Sequence, residues 1–123
     1  MPGPEVAFVL MSDLMTLIES HVEDFNHGVR TGDFGPMLVR FTPDAELRFE
    51  GERFGPFVGR ESIAAAYFDQ PPDDRIAVES VRQDGSEIVA DFRWASEPDR
   101  VAGEMRIETV GPQIRRMVVT LSS

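Results

Sequence analysis

Chemistry in this chain has few places to start. There are two histidines, one tyrosine, one tryptophan and no cysteine. The absent thiols exclude disulfides, thiolate nucleophiles and cysteine-held zinc. All 12 basic residues are Arg, and the lack of Lys excludes Schiff-base chemistry and a lysine-anchored pyridoxal cofactor. His21 falls on the apolar face formed by Leu14, Leu17, Ile18, Phe25 and Val29. An imidazole there is either a hydrogen-bonded core or rim residue, or a general acid–base with an unperturbed pKa of about 6.5. His27 lies six residues on, off that face, where it favours the C-terminal dipole of the helix. The spacing does not suit a shared metal, and no metal is expected. Tyr67, in a helix with Ile63, Ala64 and Phe68, offers a hydroxyl to a ligand or to water.

The charged candidates are Asp91, Arg93, Arg106 and Glu108. Alternation places Phe92 and Trp94 on the inner face of a strand and so turns Asp91 and Arg93 outward; only a bulge would reverse this. A charged catalytic cluster and a solvated or interfacial ion network both fit. Arg60 is expected to pair with Glu61 or Asp44. Phe54-Gly55-Pro56-Phe57 reads as a lid or pocket wall, or as the plug of a homodimer interface.

The elements that would position these groups follow from periodicity. Leu14 to Val29 has helical spacing, with Ser12 or Asp13 as a possible cap and Gly32 as a stop. Residues 1–11 form an N-terminal extension whose run Val6 to Met11 could lengthen the helix. A short helix from Asp33 to about Phe41 precedes Pro43. Ala45–Glu50 alternates as a strand, Gly51–Gly59 is a loop, and Arg60–Asp69 is a third helix stopped by Pro71-Pro72. Strands are expected over Arg75–Gln83, Ser86–Ala95, Arg100–Val110 and Ile114–Leu121, with a hairpin turn at Asp84-Gly85. Helices followed by a mostly antiparallel sheet make an α+β single domain over residues 12–121.

Leu47, Phe49, Ile76, Val78, Ile88, Ala90, Phe92, Trp94, Val101, Met105, Ile107, Met117, Val119 and Leu121 share one face of the strands. The other face carries Glu46, Arg48, Glu50, Asp91, Arg93, Glu104, Arg106 and Glu108, which can pair across strands. Phe25, Phe49, Phe54, Phe57, Phe68, Phe92, Trp94, Met105, Ile107, Met117 and Val119 are the candidate lining of a pocket. The net charge of −10 disfavours nucleic acid and anionic membranes as partners. The apolar run near the start is too short to span a bilayer and lacks a basic flank, so a cytoplasmic protein is expected.

Gly32-Asp33, Thr42-Pro43-Asp44-Ala45 and Val58-Gly59-Arg60-Glu61-Ser62-Ile63 resemble the NTF2-like superfamily, in its SnoaL-like and ketosteroid-isomerase-like branches. That resemblance implies a cone in which a bent sheet wraps the long first helix, a pocket at the wide end, and a homodimer. In ketosteroid isomerases an Asp base works with a Tyr and a protonated Asp. The Tyr position falls here at Phe25 and the base position at or beside Phe49. The protonated-Asp position falls near Met105 to Ile107, with Arg106 also aligning by counting. The steroid-isomerase apparatus is therefore missing. Some epoxide hydrolases of this fold use an Asp–Arg–Asp arrangement, which makes Asp91 and Arg93 worth locating. The expected role is to bind a small hydrophobic molecule, with cofactor-free isomerase- or cyclase-like acid–base chemistry by His21 and Tyr67 if it reacts. The competing role is a non-catalytic binding or dimerisation module.

Overall fold

The long apolar stripe of the first helix needs a sheet to cover it, and the strands after residue 75 supply one. In a computed structural model, the backbone is described for residues 4–122 and the side chains for residues 15–122. The order is α1 (Pro4–Thr31), α2 (Gly35–Leu38), β1 (Phe41–Glu50), β2 (Phe57–Val58), α3 (Arg60–Asp69), β3 (Ile76–Asp84), β4 (Glu87–Trp94), β5 (Gly103–Val110) and β6 (Gln113–Leu121). One six-stranded sheet runs β2-β1-β6-β5-β4-β3. β1 and β6 are parallel, and every other pair is antiparallel.

α1 continues N-terminal of Ser12 and Asp13, so neither starts the helix. The side chains of these two residues and of Leu14 lie outside the described residues. The second helix is a single turn, shorter than expected, because the chain enters β1 at Phe41. Pro43 is accommodated where the β1–β6 register is interrupted between Phe41 and Glu46, a stretch with no ladder donor to lose. Asp33 does hold the turn's start: its Oδ1 accepts from Gly35 N–H at 2.9 Å.

Alternation assigns most of the sheet correctly, with two departures. A bulge between Val78 and Ser80 resets β3, so Val81 rather than Ser80 turns toward the core. Val101 precedes β5 and is exposed, while its neighbour Ala102 is buried. Ala102 N–H donates to Phe92 O, and its carbonyl accepts from Ser122 N–H. That local pairing reverses which of the two faces inward.

The core is continuous from α1 (Leu17, Ile18, Phe25) through Phe34, Met37, Phe41 and Ile63 to Ile88, Ile107, Ile114 and Met117 on the sheet. Two contacts set the helices over it. Gly28 lies against the Phe34 ring, where a Cβ would fall 2.2 Å from a ring carbon. Asn26 clasps the start of β3: its Nδ2 donates to Ile76 O at 2.9 Å and its Oδ1 accepts from Ile76 N–H at 2.8 Å.

Candidate functional site

α3 is placed by a hinge that fastens to β1. Gly59 has φ 94°, a conformation that glycine adopts at little cost. Its N–H donates to Ala45 O at 2.7 Å, and its carbonyl accepts from Ile63 N–H at 3.1 Å. Arg60 then reaches back to β1, where its Nε donates to Phe41 O at 3.0 Å. This corrects the expected pairing with Glu61 or Asp44: the guanidinium satisfies a backbone carbonyl, and Asp44 instead accepts from the Thr42 hydroxyl at 2.9 Å.

Between α1, α3 and the sheet lies a cavity of about 420 Å³, within the range of small-molecule sites. Its walls include Phe25, Phe49, Phe54, Phe57, Phe92, Trp94, Met105, Met117 and Val119, and also His21 and Tyr67. The aromatic wall is built of edge-on and tilted pairs. Phe49 meets Phe54 at 4.8 Å and Phe57 at 6.5 Å, and Phe92 meets Trp94 at 5.6 Å. Tyr67 packs on Phe34 at 5.0 Å and on Phe25 at 6.4 Å.

Two residues expected in the lining are elsewhere. Phe68 is 86% exposed, because Tyr67 takes the inward position on α3 and its neighbour must point away. Ile107 is fully buried in the core, two residues along β5 from Met105, where the space above the strand is filled. The walls also contain Leu47, Ala66, Ile76 and Leu121, and the mouth Asp69, Gln70 and Pro72. Alternation signalled Leu47, Ile76 and Leu121 as inward. Nothing local signalled the mouth, which depends on where the end of α3 lies over the sheet.

His21 is the most buried polar group of the site, at 2% exposure. Burial drives its pKa down to about 4; Asp24 opposes this and Arg40 adds to it. Asp24 is itself held by Arg40 at 2.5 Å. At neutral pH the imidazole is uncharged. Its ring meets Phe41 edge-on at 6.0 Å, and among the described residues its Nδ1 has no hydrogen-bond partner. An unpaired buried polar atom costs about 1–3 kcal/mol. Tyr67 is half-buried, and burial raises its phenol pKa well above the usual value. It is a permanent donor at any physiological pH.

The charged candidates sit on the opposite face of the sheet. Asp91 accepts from Ser80 and faces Arg82, Arg93 binds Glu79, and Arg106 binds Asp84 and Glu87. Across the strands, Arg82, Val89, Arg106, Val118 and Arg48 form one row, flanked by a row carrying Asp84, Glu87, Glu108, Arg116 and Glu46 and a row carrying Asp91, Glu104 and Glu50. The bulge that could have turned charge inward falls in β3 and leaves Asp91 and Arg93 outside. No group of three or more His, Asp or Glu able to hold a metal occurs among the described residues. None of the described helices is long and apolar enough to cross a membrane.

An α+β domain with a six-stranded, mostly antiparallel sheet and helices packed over one face is the NTF2-like architecture. A SnoaL-like domain model matches residues 22–120, and the chain belongs to that family. Solved structures agree on the fold. An NTF2-like protein from Anabaena variabilis ATCC 29413 is 19% identical, with a TM-score of 0.68 over 90% of this chain and 90% of that one. An NTF2-like protein of unknown function from Burkholderia xenovorans LB400 is 16% identical, with a TM-score of 0.68 over 92% and 85%. A provisionally assigned ketosteroid isomerase from Kribbella flavida DSM 17836 is 14% identical, with a TM-score of 0.68 over 91% and 79%. No curated protein matches the chain in sequence.

Proposed function

We propose that this protein binds a small hydrophobic molecule in the cavity between α1, α3 and the sheet. The observation that carries the reading is the makeup of the walls: seven aromatic side chains of Phe, Tyr and Trp type, six of the sheet's aliphatic or Met residues, and the lone buried imidazole of His21. Apolar walls with a few placed polar groups are the usual form of a ligand site. Trp94 is the sole tryptophan and lines the cavity, so titrating hydrophobic compounds against its fluorescence tests the reading. Saturable shifts that disappear when Val119→Phe fills the space support it. Unchanged emission across a broad panel refutes it.

Catalysis is the second reading, and the place of the His21 imidazole in the cavity wall favours it. His21 would exchange a proton with the substrate while Tyr67 donates a hydrogen bond to the developing oxyanion, with no cofactor. A conjugate acid of pKa about 4 makes a weak base for a carbon acid, since efficient bases sit near the working pH. Binding is therefore the primary reading. If turnover of any ligand is found, His21→Ala should abolish it with folding intact, and unchanged turnover removes His21 from the mechanism.

The accompanying proposals are a cone-shaped sheet around α1 over a domain of residues 12–121, a cytoplasmic setting, and a homodimer in which a second copy covers exposed apolar residues such as Phe68 and Val58. Light scattering on the purified chain reads the last of these directly.

A further inference from the structure

We infer that the cavity selects an uncharged ligand with a single hydroxyl or carbonyl group directed at His21, and rejects carboxylates. The inference rests on the binding reading above and narrows it by charge.

Among the described residues no Arg lines the cavity, although the chain has twelve arginines. Two arginines beside α1 and α3 are committed elsewhere: Arg40 to Asp24, and Arg60 to the Phe41 carbonyl. A carboxylate brought inside would lose its water and find no cation, which is among the costliest burials available. Its approach is also opposed. Asp69 stands at the mouth, and the whole chain carries a charge of −10, which lowers the local concentration of anions.

The polar groups that are present suit a neutral partner. The His21 imidazole lies 2% exposed in the wall, and its remaining accessible edge, not the enclosed Nδ1, is what a ligand meets. An uncharged imidazole offers one donor and one acceptor, and the Tyr67 phenol adds a donor and an acceptor. One hydroxyl or carbonyl can be satisfied by this set. A pure hydrocarbon would leave the imidazole unpaired, and a site with unpaired buried groups discriminates against ligands that cannot meet them.

The test uses one rigid skeleton with different polar groups: adamantane, 1-adamantanol, 2-adamantanone, adamantane-1-carboxylate and 1-adamantylamine, titrated at pH 7 against Trp94 emission. The alcohol or the ketone should bind about tenfold more tightly than adamantane, the usual net value of one hydrogen bond. The carboxylate should bind at least about a hundredfold more weakly than the better of the two. In His21→Leu the ratio of alcohol to hydrocarbon affinity should fall toward one. A carboxylate that binds as tightly as the alcohol overturns the inference. So does tighter binding of the amine, which would make Asp69 the anchor for a cation, and so does an unchanged ratio in His21→Leu. The ranking of carboxylate against alcohol in the unaltered protein decides the matter even if that variant fails to fold. Binding of adamantane with no preference among the neutral and charged forms sinks this inference alone, whereas no binding by any member sinks the binding reading itself.

Discussion

Met105 and Ile107 stand two residues apart on β5, on the same face, with nearly equal burial. One borders the cavity and the other is solid core. The difference runs across the whole inner face. Ile107 sits beside Ile88 and Met117 across the strands and belongs to the packed core with Ile18, Met37, Phe41 and Ile114. Met105 pairs with Val119 across the strands and borders the cavity together with Phe49, Trp94 and Leu121. Both ends use the same apolar residue types. What separates them is what packs over the sheet, not the alternation of the strand itself.

Substitution should break this pairing unevenly. The largest effect is expected at the filled end: Phe41→Ala, at a fully buried residue, should lower stability by about 3–5 kcal/mol in urea unfolding. Leu121→Ala, on the cavity wall, should cost well under that, since it enlarges a space that already exists. Equal losses at the two positions would erase the distinction.

Next comes pH. The pKa of His21 falls from 6.5 to about 4 on folding, so the unfolded chain binds the proton more tightly than the folded one. Stability is then full above pH 6.5, declines as pH falls from 6.5 toward 4, and levels off for this group below that. The span is worth about 3 kcal/mol. His21→Leu should flatten the stability profile over that window. A profile as steep in the variant as in the parent would mean that His21 is not held neutral by burial.

Overpacking sharpens the comparison at smaller scale. Ile107→Phe should destabilise by about 1–3 kcal/mol, whereas Val119→Phe should be nearly neutral for stability and should weaken ligand binding. The smallest effect belongs to the opposite face. Arg82→Ala removes exposed ion pairs to Asp91 and Glu104 and should change stability by less than about 1 kcal/mol, while leaving ligand affinity untouched.

Strand alternation made the inner face legible residue by residue, because a period of two fixes direction without reference to anything distant. It could not say which inward positions meet empty space, and so Ile107 and Phe68 were expected in the lining alongside Phe49 and Trp94. Phe68 shows the helical version of the same limit: α3 has only a weakly defined apolar face, and the packing of Tyr67 on Phe34 decides its rotation. The clasp of Asn26 on Ile76 spans 50 residues, and no local pattern announces it. The neutral state of His21 is a property of burial, which its side-chain type alone does not carry.

Gly28 has one further consequence. It touches no part of the cavity, yet the Phe34 ring rests where its side chain would be, and Phe34 in turn supports Tyr67 and Phe25. Any larger residue at position 28 must drive that ring toward two wall residues. The bore of the cavity is therefore gauged from outside it, and chains that differ at this one helical position would be sorted by the girth of the molecules they admit.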